Sequence, residues 1–203
     1  MRVTLGNAHD PAAPQRGRRF CAWLALAAVP GINEWVPAYT SVTVFYAPER
    51  IDYAAVCRAL TRGMADLASA PASRGRLVEL PVRYGGADGP DLSSLAARHG
   101  LSALQVVSLH AGSVYEVVMV GFLPGFPYLR GLPPALHTPR LSTPRTLVPA
   151  GSVGIGGAQT GVYPCESPGG WNLVGRTDTP LFDVLRDPPA LLQAGDRVRF
   201  VPL

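Results

Sequence analysis

The sequence predicts a small α+β domain over residues 1–75 followed by a mainly-β barrel domain over residues 76–203. Three observations lead there. The first 70 residues place helix-periodic apolar stripes beside a β-branched run. The stretch Ser69–Gly75, SAPASRG, has the composition of a linker. The stretch from Gly121 to Thr177 holds eleven of the 22 glycines and nine of the 21 prolines, with apolar residues from Phe122 to Val174 between them. Short strands separated by such φ-restricted corners argue for a closed or nearly closed β-barrel.

Taken in order, Val3 to Leu5 reads as a short strand and Pro11 to Pro14 as a loop. Apolar spacing fits a helix from Gln15 to Ala28, closed by Pro30 and Gly31. Arg16, Arg18 and Arg19 ahead of Phe20–Val29 imitate a signal peptide with a late start. The apolar run is far too short to span a membrane, so it reads as a buried amphipathic helix. Ser41 to Tyr46, SVTVFY, is strand-like, and Asp52 can cap a helix that buries Val56, Leu60 and Met64. Beyond the linker come a strand Leu77–Val82 and a turn at Tyr84, Gly85 and Gly86. Asp91 then caps a short helix ending near His99 and Gly100. Ser102 caps another helix, expected to carry Leu104, Val107 and Leu109 inward until Gly112. Val114–Val120 is an apolar strand, and Asp196–Val201 is a last one with Val198 and Phe200 alternating against arginines.

Composition excludes several chemistries. A chain of 203 residues at 47% hydrophobic content can bury one good core or two small ones. The formal charge of +4 is too modest and dispersed for a nucleic-acid footprint. All 18 basic residues are arginine. Without lysine there is no Walker-type phosphate lysine, no Schiff base and no biotin attachment point. Cys21, Cys57 and Cys165 are odd in number and lack C-x-x-C spacing, which fits a reducing cytoplasm and neither a disulfide framework nor a zinc knuckle. His9, His99, His110 and His137 show no metal-ligand spacing, so no metal site is expected on this chain.

Within the central stretch Arg130, Arg140, Arg145 and Arg176 face one carboxylate, Glu166, with His137 beside them. Arg140, Arg145 and Arg176 are the candidate anion clamp, because guanidiniums on a rigid glycine-lined surface suit a carboxylate or phosphate. Glu166, ahead of Ser167, Pro168, Gly169, Gly170 and Trp171, is the candidate catalytic carboxylate, with desolvation on a stiff loop raising its pKa; turn capping is the alternative. His110 is the second candidate base, with a structural role as its alternative. Gly156, Gly157, Gln159 and Thr160 read either as a loop whose backbone donors approach a ligand or as a tight hairpin ahead of Tyr163. Phe122, Phe126, Tyr128 and Trp171 either line a pocket or pack a core, and Phe126–Pro127 is a candidate cis bond.

The motifs GFxPGFPYLxGL, TPR and VPAGSVGIGGxQTGxYPxESPGGWxLxGRT closely resemble the KipI-type family, also known as the B-type subunit of 5-oxoprolinase (PxpB) or allophanate hydrolase subunit 1, a carboxyltransferase C/D-type domain. Flanking segments, PGINEWVPAYTSVTVFY upstream and LFDVLRDPPALLQAGDRVRFVPL downstream, extend the likeness from about Val29 to the last residue. The resemblance implies a cyclophilin-like barrel for the second domain. It also implies ATP-dependent opening of 5-oxo-L-proline to L-glutamate, together with A-type and C-type subunits. Arg140, Arg145, Arg176, Gln159 and Tyr163 would then bind substrate or anion, while Glu166 or His110 moves protons. With a single carboxylate in the stretch, Mg²⁺ accompanying ATP would need ligands from the C-type (KipA-like) partner. Two other roles follow from the same likeness: the carboxyltransferase component of a biotin-dependent urea carboxylase, or a non-catalytic inhibitor of a sensor histidine kinase.

Overall fold

The computed structural model describes residues 1–7, 10, 12–66 and 75–203; His9, Pro11 and the linker residues 69–74 lie outside them. The chain divides into two compact units, Met1–Arg74 and Gly75–Leu203.

In the first unit, β1 (Arg2–Thr4), β2 (Ile32–Pro37) and β3 (Ser41–Tyr46) form an antiparallel sheet in the order β1-β3-β2. β2 has no counterpart in the strand expectations. Its Asn33-Glu34 pair breaks apolar alternation, and its terminal Pro37 is tolerated because the strand lies at a sheet edge. Helix α1 (Ala13–Ala27) takes in Ala13 and Pro14, where the sequence suggests a loop, because proline suits the first helical turn. It buries Phe20 and Leu24 against Val42 and Val44. Helix α2 (Tyr53–Ala65) starts where the Asp52 side chain accepts the Ala55 N–H at 2.7 Å, and it adds Val56 and Leu60 to the same core, with Met64 packed beside them. The first unit is therefore α+β, and among the described residues no helix is long and apolar enough to cross a membrane.

The second unit is built around β4 (Leu77–Tyr84), β5 (Val114–Val120), β6 (Pro127–Arg130), β7 (Arg145–Val148), β8 (Ser152–Gly156), β9 (Gln159–Val162), β10 (Ser167–Gly169), β11 (Asn172–Arg176) and β12 (Arg197–Pro202). Seven of these close a barrel in the order β11-β4-β12-β5-β6-β9-β8, while β10 and β7 form a separate two-stranded sheet. The barrel thus begins upstream of Gly121, with β4 running parallel to β12. Val198 and Phe200 of β12 point inward with Leu80, Val82, Tyr115 and Ile155, whereas Arg197 and Arg199 are exposed.

Helices α3 (Leu92–Arg98) and α4 (Ala103–Ala111) belong to the same unit. Ser102 forms a full capping box with Gln105 at the start of α4. The buried face of α4 is only partly the expected one: Val107 packs against the core as expected and Val106 and His110 are enclosed, whereas Leu104 is 77% exposed and Leu109 36%. Hydropathy alone misassigns part of the face because the residue driven inward is a histidine whose ring finds partners inside the barrel. Phe126–Pro127 is not a cis bond; Pro127 opens β6, paired with Val120, and the cis bond among the described residues is Asp187–Pro188.

Gly151, between β7 and β8, has φ +80° and donates its N–H to Tyr163 O at 2.7 Å; a Cβ there would meet Thr177 O at 2.0 Å. Gly151→Ala is therefore expected to destabilise the full-length protein by about 3 kcal/mol, combining left-handed strain with backbone collision. The midpoint of urea unfolding would fall accordingly, and an unchanged midpoint would contradict the account.

Candidate functional site

Trp171 links β10 to β11 and defines the site. A Cβ on Gly156 would lie 2.7 Å from the indole, so the bare glycine makes the ring's seat on β8. Phe126 meets the ring edge-on at a centroid separation of 5.5 Å, and Tyr128 does so at 6.0 Å. These residues, with buried Tyr163, Val148 and Leu173, form a small core distinct from the barrel interior.

Arg140 sits over the indole, its guanidinium carbon 5.6 Å from the ring centroid. Its position follows from the residues on either side. Leu141 N–H donates to Gly170 O at 2.7 Å, and the Asn172 amide donates to Pro139 O at 2.9 Å and to Ile155 O at 3.0 Å. Residues 139 and 141 are thus fastened to 172 and 170, which brings Arg140 opposite Trp171. Arg140 is exposed and makes no hydrogen bond among the described residues, so its five donors remain available to an anion. Burial raises the phenol pKa of Tyr128, and the Arg140 charge opposes that rise. Tyr163 is raised by burial too, against the Trp171 backbone and the charges of Arg140 and Arg145. Both phenols therefore stay protonated at neutral pH and can donate.

The other two clamp candidates are engaged elsewhere. Arg145 donates to Asp91 at 2.6 Å and to Trp171 O at 3.4 Å, so it holds an internal carboxylate rather than a guest. Arg176 donates to Ala150 O at 2.9 Å. Arg130 pairs with Glu116 at 2.5 Å, and His137 donates to Leu132 O at 3.0 Å. The expected convergence of Arg140, Arg145 and Arg176 is therefore not what the structure shows: their partners are an indole, a carboxylate and a main-chain carbonyl.

Glu166 is exposed, so the desolvation expected of a catalytic carboxylate is not present there. Ser167 and Gly169 pair with Val148 and Arg145 of β7, Pro168 is exposed, and a Cβ on Gly169 would strike the Tyr163 hydroxyl at 2.4 Å. Gly156 and Gln159 close the β8–β9 hairpin, with Gln159 half-buried. The Gly157 N–H donates to Thr138 O at 2.7 Å, so the hairpin reading holds and that donor is not open to a ligand.

His110 is a core residue and not a general base. Its Nδ1 lies 2.7 Å from Tyr84 Oη and its Nε2 3.0 Å from Thr160 Oγ1. Thr160 already donates to Gly154 O at 2.9 Å, so its oxygen accepts from Nε2–H and Nδ1 accepts from the tyrosine. The ring is fully buried and stacks on Phe200 at 4.6 Å. Desolvation lowers its pKa from 6.5 to about 3, and desolvation likewise raises that of Tyr84, which keeps the phenol a donor.

Two residues outside the expected set complete the site. The sequence marks Asp91 as a helix cap, but its side chain caps nothing; it accepts from Arg145 and from Leu173 N–H, each at 2.6 Å. Asn172 is absent from the sequence candidates, although an amide inside the apolar run WNLV signals a buried polar group needing partners. Among the described residues no three His, Cys, Asp or Glu side chains gather as a metal site. The guanidinium and phenols around Trp171 suit an anion rather than a cation.

A barrel carrying this motif-rich wall defines a class. The family described as carboxyltransferase domain, subdomain C and D, matches residues 1–192, and the chain belongs to it. More particularly, the B subunit of 5-oxoprolinase from Escherichia coli O157:H7 is 52% identical over 178 residues, 87% of this chain and 81% of its own. The protein of that name from Haemophilus influenzae is 46% identical over 192 residues, covering 94% and 89%. The likeness read from the motifs is thereby borne out. The solved structure of TTHA0988 superposes on the whole of this chain with a TM-score of 0.87 at 40% identity, and this chain spans 39% of that longer one.

Two outcomes follow. Because the unfolded chain protonates His110 near 6.5 and the folded protein only near 3, the unfolded state binds more protons between those values. Stability should fall as pH drops through that window, and His110→Gln should show a shallower fall in urea midpoint between pH 7 and pH 5 than the unsubstituted protein. Gly156→Ala should cost about 1–3 kcal/mol by displacing the indole, and near-UV circular dichroism should register the lost aromatic packing.

Proposed function

We propose that the chain is the B-type subunit of an ATP-dependent 5-oxoprolinase, which opens 5-oxo-L-proline to L-glutamate together with A-type and C-type subunits. The observation that carries this reading is identity of 46–52% to proteins named as the B subunit of 5-oxoprolinase, over most of the chain. The site supports it chemically. A lactam bearing a carboxylate needs a cation beside a flat apolar surface, and Arg140 over Trp171 with Tyr128 at the edge supplies both.

A lactam is a poor electrophile, and transfer of the ATP γ-phosphoryl group to its oxygen turns that oxygen into a leaving group. Water then attacks the carbonyl carbon and the C–N bond breaks as the nitrogen takes a proton, which leaves an acyl phosphate; a second water hydrolyses it to the glutamate carboxylate and inorganic phosphate. In this scheme Arg140 binds the substrate carboxylate, and the Tyr128 phenol donates a hydrogen bond to it. Glu166, on the segment leading into Trp171, is the side chain available for proton transfer; His110, sealed in the barrel, is not. ATP and Mg²⁺ are held largely by a partner subunit, since the described residues bring together no carboxylate cluster. That TTHA0988 contains the matching region within a chain more than twice as long supports further polypeptide in the working assembly. The three free cysteines suit the cytoplasm as its compartment.

The test combines the purified protein with its A-type and C-type partners, 5-oxoproline and ATP, and follows glutamate and ADP. Turnover only in the full set is expected; its absence there overturns the reading. Arg140→Ala in that set should raise KM for 5-oxoproline by about 10–100-fold, the loss of a charge-assisted hydrogen bond to the carboxylate, with a smaller change in kcat.

A further inference from the structure

We propose that Asn172 is the positioning residue that sets Arg140 over the Trp171 indole and so fixes where a substrate carboxylate is received. The inference rests on the oxoprolinase reading for the ligand and on geometry alone for the positioning.

Asn172 is 7% exposed, and its amide nitrogen bonds two carbonyls, Pro139 O at 2.9 Å and Ile155 O at 3.0 Å. Pro139 precedes Arg140 and Asn172 follows Trp171, so one side chain ties the backbone of the cation to that of the ring beneath it. The bond to Ile155 O ties both to the barrel, whose β8 also holds Gly156 against the indole. The backbone on either side of this span has its own anchors: Thr138 is bridged to Gly157, and Leu141 N–H donates to Gly170 O. Between those anchors the Asn172 amide is what holds Pro139 and Arg140 against β11. Without it the peptide joining them is free to rotate between its two fixed ends. The guanidinium would then leave the ring while the strand ladder between β8 and β11, made by backbone groups, persisted. An amide is required because both partners are acceptors. An aspartate of the same shape would set an anion against two carbonyl oxygens and offer no donor.

The test uses Asn172→Asp, which keeps the volume, and Asn172→Ala, each alone and with Arg140→Ala, in the reconstituted set. Expected is a rise in KM for 5-oxoproline of about tenfold with kcat within about twofold. In the Arg140→Ala background no further rise is expected, because a residue that acts through Arg140 has nothing left to position. An equal rise in both backgrounds, or none in either, overturns the proposal. A second readout needs no turnover. The protein has three tryptophans, so 5-fluorotryptophan labelling gives three ¹⁹F resonances, and Trp171→Phe identifies one of them. Asn172→Asp should move that resonance toward its position in Arg140→Ala; a resonance left in place overturns the positioning role. Failure of the full set to turn over 5-oxoproline would instead count against the oxoprolinase reading, with the ¹⁹F shift still deciding the part played by Asn172.

Discussion

Asp91 grips Leu173 by both of that residue's backbone groups: its own N–H donates to Leu173 O at 2.9 Å and its carboxylate accepts Leu173 N–H at 2.6 Å. The same carboxylate takes Arg145, which reaches on to Trp171 O. β11 is the strand at which the barrel closes, between β8 and β4. A carboxylate placed at that seam, desolvated on one side and satisfied by a guanidinium and an amide, locks the closure and the segment leading into it. The indole, and everything arranged around it, depends on this seam being fixed.

The charge pattern of the second unit follows the same logic. Arg76 bonds Asp196, Arg83 spans Asp88 and Asp178, and Arg130 bonds Glu116, so most guanidiniums near strand ends are matched to a carboxylate. A planar fork reaches two acceptors at once, as Arg83 does, where an ammonium would serve as a single point. Against that background Arg140 stands apart, because its neighbour is an aromatic face and its hydrogen-bonding edge meets no acceptor among the described residues. A cation held by a ring rather than by an anion keeps its capacity to bind one.

What is legible in the sequence is what is caused locally. Ser41–Tyr46, the Asp52 cap and the Ser102 capping box depend on neighbours a few residues away, and each stands where composition places it. The alternation of Val198 and Phe200 against Arg197 and Arg199 likewise marks a strand with one face inside. The site is harder to read, because its pairings are distant. Arg145 meets an acid 54 positions away, so the stretch that holds it shows only a lone carboxylate and an excess of arginines. Asn172 reaches back 33 positions to Pro139, which no short-range pattern encodes. His110 looks like a base because a histidine at a helix end advertises chemistry, while the tyrosine, threonine and phenylalanine that enclose it come from three separate strands.

The chain of donors from Tyr84 through His110 and Thr160 to Gly154 threads β4, α4, β9 and β8 with polar atoms inside an otherwise oily interior. Aliphatic contacts tolerate sliding, since one methyl packs about as well as the next. A relay of directional bonds does not, because displacing any participating strand by one position would orphan several groups away from water. The relay therefore acts as an alignment key: it contributes less to how strongly the barrel holds together than to there being a single way of assembling it.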